Sequence, residues 1–161
     1  MTEYLAIVPG ESIGPFTLGM SRAQIEALDV WPRLELEGST HYPMADLPEQ
    51  TLRGKAYVQP QPGINVTYDA SGFCNRLEAI LPYRVTPPVF TLCGRVANGM
   101  TAREAASVLA AIASDVKRVY GAIHSLAAGI RATRWEAGDE QIMSIIVLPR
   151  KEPALSPDKR A

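Results

Sequence analysis

The chain has 161 residues, enough for one domain or for two small halves sharing a core. It is 47% hydrophobic and 20% charged, the balance of a globular protein, and its formal net charge of -1 leaves no basic surplus for nucleic acid or an anionic membrane surface. No apolar run approaches the length of a bilayer span.

The N-terminal stretch MTEYLAIVPGESIG lacks a positive start, a long apolar segment and a small-residue cleavage site, so no signal peptide is expected and the chain is read as cytoplasmic. YLAIVPG and PFTLGM are expected as short strands about the GESIG turn. GMSRAQIEAL, residues 19 to 28, then opens a helix. Ser21 and Gln24 have capping-box spacing, and Met20 and Ile25 have hydrophobic-staple spacing. This helix is expected to end near Trp31, because Pro32 cannot continue it. EGSTHYPMADLPEQ reads as a long loop and hence a candidate functional loop. GKAYVQP reads as a strand closed by PQPG. INVTYDASGFCNRLEAILP, residues 64 to 82, reads as a hairpin about ASG.

The second half rhymes with the first. VFTLCGRV, residues 89 to 96, is expected as one strand leading into GMTAREAASVL, residues 99 to 109. Thr101 and Glu104 repeat the box, and Met100 repeats the staple position. Ala105, Val108, Leu109, Ile112 and Val116 form an apolar stripe, and the alanine-rich helix is expected to reach about Arg118. A strand is expected near Tyr120 to Leu126. IRATRWEAGDEQIMSIIVLP, residues 130 to 149, reads as a hairpin about AGD. IMSIIVL is apolar on both faces and is expected as a central strand, or one covered by a partner. The tail, residues 151–161, reads as disordered.

These elements predict an α+β fold: two related helix-plus-antiparallel-hairpin units sharing a sheet, with the helices packed on one face. Residues 1–150 form the single domain, a pseudo-repeat of about 1–84 and 85–150.

VPGESIGPFTLGMSRAQIEAL resembles the opening of a group of small bacterial proteins with an IG-P-F-x-LGM-[ST] start, some of them regarded as immunity proteins beside toxins. The doubled helix-and-sheet unit also resembles, in layout, the tandem build of the beta-lactamase inhibitor proteins, without their paired disulfides. The resemblance implies a non-enzymatic protein that blocks a partner toxin or enzyme.

The residues themselves offer little catalytic chemistry. Cys74 and Cys93 are expected as free thiols acting as small buried hydrophobes, Cys93 within an apolar strand. His41 reads as a loop residue with Asp46 nearby. His124 adjoins Ser125, but neighbours on a strand point to opposite faces. Glu136, Asp139 and Glu140 read as a solvated hairpin tip. No phosphate loop, metal-ligand spacing or nucleophile set is present, so no catalytic residue, cofactor or metal is expected.

Surface for protein contact remains. If Ile130 faces the core, Arg131, Thr133 and Trp135 alternate outward; a shift of one residue would bury Trp135 instead. Asn65, Thr67 and Glu78 are expected on the same open face of the related hairpin. Trp135, Arg131, Thr133, Thr67 and Glu78 are therefore the expected partner-binding residues of an immunity or inhibitor protein. The alternatives are a small-molecule pocket near the 38–48 loop, a small enzyme using His41 or His124, and a homodimer formed through IMSIIVL.

Overall fold

A computed structural model describes residues 4–44, 50–52, 55–57, 62–82, 85, 87–119, 121–134 and 141–151. The repeated helix start is built nearly the same way twice. Gly19 and Gly99 have φ of 89° and 77°, a region that side-chain-bearing residues resist. Each glycine delivers an N-cap. Ser21 Oγ accepts from the Gln24 backbone N–H at 3.2 Å, and Gln24 Oε1 accepts from the Ser21 N–H at 2.9 Å, completing the box of α1 (Arg22–Ala27). Thr101 Oγ1 accepts from the Glu104 N–H at 3.1 Å at the head of α2 (Ala102–Ala110). Here the Glu104 carboxylate turns to the threonine hydroxyl, 3.2 Å away.

The methionine between glycine and cap has a backbone task. Met20 O accepts from Cys74 N at 2.7 Å, and Met100 O accepts from Ile142 N at 2.9 Å. Ser21 bridges Phe73 and Thr101 bridges Gln141. Glycine, methionine and cap together clip each helix start onto the head of a later strand.

Before α1 come β1 (Tyr4–Val8), β2 (Ser12–Ile13) and β3 (Phe16–Thr17). After it come β4 (Leu34–Leu36), β5 (Ser39–Pro43), β6 (Gln50–Leu52), β7 (Lys55–Tyr57), β8 (Gly63–Tyr68) and β9 (Cys74–Ile80). Before α2 lie β10 (Val89–Leu92) and β11 (Arg95–Val96). After it lie β12 (Lys117–Val119), β13 (Ala122–Ser125), β14 (Ile130–Arg134) and β15 (Ile142–Val147).

A five-stranded sheet runs β11-β10-β1-β2-β3, with β1 and β10 parallel. An eight-stranded antiparallel sheet runs β12-β13-β14-β15-β9-β8-β5-β4, and β6 and β7 pair separately. The large sheet is thus two four-stranded runs of opposite order, meeting where β15 pairs with β9.

One face of the large sheet looks into the core. Ile64 and Val66, Leu77 and Ala79, Ile130 and Ala132, and Ile145 and Val147 are all buried there. They cluster with Ile7, Ile13, Phe16, Phe90 and Leu92 of the small sheet, Ile25 of α1, and Ala105, Val108 and Leu109 of α2. Each fully buried aliphatic side chain of this size contributes about 1.5–3 kcal/mol.

The expected α+β class is corrected. Among the described residues the protein is mostly β, with 48% strand and 12% helix, and a second sheet stands where helices alone were expected. The helices fall short for identifiable reasons. α1 ends at Ala27 because Asp29 turns left-handed at φ 46°, well before Pro32. α2 ends at Ala110, and Ile112, expected on the buried stripe, is 49% exposed. Beyond it the chain is held by Asp115, whose carboxylate accepts from the Ser125 hydroxyl and the Ala127 N–H. Tertiary anchoring there overrides alanine's preference for helix.

Several expected loops and single strands are also corrected. Residues 39–43 of the expected loop form β5 inside the large sheet. VFTLCGRV is a hairpin, because Cys93 and Gly94 both take positive φ, 51° and 79°, as a two-residue turn requires. Cys93 is therefore exposed in a turn. The strand expected near 120–126 is present as β13, and its hairpin partner β12 stands where the helix was expected to reach Arg118. β15 is central, between β14 and β9, and is buried along most of its length. The second hairpin tip, with Trp135, Glu136, Asp139 and Glu140, lies outside the described residues, as do Asp46 and the tail beyond Lys151.

Candidate functional site

Strand alternation gives the large sheet a second, outer face. Directly opposed residues in an antiparallel ladder share a face. One row crosses all eight strands: Leu34, His41, Asn65, Glu78, Ile146, Arg131, His124 and Lys117. Both histidines of the chain lie on it, each on the second strand of its half. A parallel row carries Pro43, Gly63, Ile80, Ser144, Thr133, Ala122 and Val119.

Four of the five expected partner-binding residues come to this face. Ile130 is buried in the core, so Arg131 and Thr133 point outward, Arg131 exposed and Thr133 half-buried. Thr67 and Glu78 lie on the other half of the face, with Asn65 between Glu78 and His41. Thr133 Oγ1 shares a hydrogen bond of 2.6 Å with Ser144 Oγ. The fifth, Trp135, lies outside the described residues.

The two ends of the main row differ in chemistry. Asn65 Nδ2 donates to Glu78 Oε1 at 3.2 Å. An ionised carboxylate can only accept, so Asn65 presents its amide nitrogen to Glu78 and its carbonyl to His41. His41 Nδ1 hydrogen-bonds that carbonyl, which holds the ring against the sheet face. A depression of about 360 Å³ opens here, its lining including Ser39, His41, Asn65, Thr67, Arg76 and Glu78. The opposite end carries Lys117, His124 and Arg131 on three adjacent strands.

The centre is apolar: Ile146 and Ile80 are 6% and 8% exposed although they face away from the main core cluster.

Sequence reasoning placed His41 in a loop and missed the row, because β5 joins the sheet through pairing with β8 across an insertion. The missed signal is the alternation in STHYP, where Thr40 and Tyr42 are buried between half-buried Ser39, His41 and Pro43. Thr40 Oγ1 shares a 2.9 Å hydrogen bond with Tyr68 Oη on the inner side. Ser125 is buried and donates to Asp115, on the face opposite His124. Cys74 is buried, which pushes its thiol up to about 11. Among the described residues no three metal-ligating side chains converge, and no helix is long and apolar enough to cross a membrane.

No family model, curated protein or solved structure matches the chain.

Proposed function

We propose that this chain is a non-enzymatic protein-binding module of the immunity or inhibitor kind, which covers a partner toxin or enzyme with the outer face of its large sheet. The observation that carries the reading is the eight-strand row, with Ile146 at its centre and Asn65, Glu78, Arg131, His124 and Lys117 around it. Such a face offers a partner polar and charged side chains held on rigid strands.

The test is capture of the tagged chain's partner from host extract, native mass spectrometry of the eluate, and amide-exchange mapping of the complex. The expected result is one stoichiometric protein that protects β8, β9, β14 and β15. Arg131→Ala is expected to cost about 2 kcal/mol of affinity if this side chain is an anchor. Protection confined to the five-stranded sheet would overturn the reading.

A second reading follows from the depression beside His41: a small polar ligand held between the imidazole and Arg76. A small-molecule mass adduct, lost in His41→Ala, would favour it over the first.

A further inference from the structure

We propose that the Lys117–His124–Arg131 end of the outer face is a docking surface for an acidic patch on a partner protein. The inference rests on the reading that the outer face receives the partner, and it adds the partner's chemistry.

The two ends of the main row hold equivalent histidines in opposite circumstances. His41 is served by Asn65, and Asn65 by Glu78, so that end is satisfied within the chain. His124 stands between Lys117 on β12 and Arg131 on β14. Lys117 and Arg131 are exposed, and among the described residues neither takes part in an ion pair. No carboxylate stands in this stretch of the row. Lys117 and Arg131 thus flank His124 from either side with no acidic partner among the described residues, and an arriving carboxylate would offset both cations.

The geometry defines what fits. Lys117 and Arg131 are two strands apart, about 10 Å. Arg131 can take a carboxylate through two parallel hydrogen bonds, Lys117 can meet a second as a point charge, and His124 can donate between them. The next residue along the row, Ile146, is buried, so the charged stretch ends at Arg131. A nucleic acid strand fits less well. Glu78 stands on the same row beyond Ile146, where it would face the phosphates of a strand long enough to run along the row.

The experiment is a low-salt NMR titration of the full-length ¹⁵N-labelled chain with a hexaglutamate peptide. Hexalysine and a single-stranded DNA oligonucleotide serve as comparison probes. Hexaglutamate is expected to move the amide signals of β12, β13 and β14, and to do so less as salt is added. Lys117→Glu with Arg131→Glu is expected to weaken its binding at least tenfold while the melting temperature is kept. Lys117→Gln with Arg131→Gln provides the same test should charge reversal impair folding. Unchanged binding in both variants, shifts confined to the His41–Glu78 end, or tighter binding of the oligonucleotide would overturn the proposal.

The captured partner separates the two claims. Protection of the outer face with affinity indifferent to these variants overturns the acidic-patch inference alone. Protection confined to the five-stranded sheet overturns the outer-face reading, and the inference with it.

Discussion

At the residue scale, chemistry follows from what each side chain is packed against. Cys74 is buried and its thiol is pushed up to about 11, while Cys93 is exposed in a turn with its thiol raised by partial desolvation. A thiol reagent is expected to label one cysteine per native chain, Cys93, and to do so faster as pH rises. The second equivalent should appear only in denaturant, which mass spectrometry of the labelled peptides checks. Asp115 gives a pH prediction. The Ser125 hydroxyl, and after it the Ala127 N–H, hold its carboxyl below the ordinary value of 3.8. A depressed native pKa favours the ionised folded state, so its contribution is full above the ordinary value and is lost as pH falls through the native one. The stability gap between the parent and Asp115→Asn is expected to be constant near neutrality and to close in acid, as read from urea midpoints across pH. Of these environments the sequence revealed only part. The outward turn of Arg131 and Thr133 was legible in the alternation with Ile130 and Ala132. The exposure of Cys93 was not, because Cys-Gly is a weak turn signal inside an apolar run.

At the element scale, the local rules held where they were complete. The Ser21 box and the left-handed Gly19 and Gly99 follow from neighbours within a few residues, and both helix starts were legible. The helix ends were not. The α1 end depends on Asp29 taking a conformation more usual for glycine, and the α2 end depends on a carboxylate gripping a strand formed later in the chain. A Cβ added at Gly19 meets nothing within 4 Å, so substitution there probes conformation alone. Gly19→Ala is expected to cost about 1–2 kcal/mol, and Gly19→Asn less, because asparagine tolerates the left-handed region. Chemical denaturation of the two variants checks the order.

At the scale of the whole molecule, the sequence showed the two hairpins but not the sheets that join them. Pairing β1 with β10 sets Tyr4 beside Val89, and pairing β9 with β15 sets Leu77 beside Val147. Such distant partners leave no local pattern to read. The small sheet, made from short strands with turn residues between them, was for that reason the largest omission. The outer row was hidden in the same way: each member obeys ordinary alternation, and only the register of seven successive pairings lines them up.

Those same two seams have an engineering consequence. In each, one strand comes from the first half of the sequence and its neighbour from the second, so scission of the chain between β9 and β10 would leave every seam divided between two pieces. Residues 1–84 and 85–161 made as separate polypeptides are each expected to lack stable tertiary structure, since each would bare a sheet edge in both layers. Mixed in equal amounts, they are expected to reassemble, with circular dichroism and NMR dispersion returning at a one-to-one ratio. The molecule would then be a ready-made split reporter, whose signal appears when two fused proteins bring its fragments together.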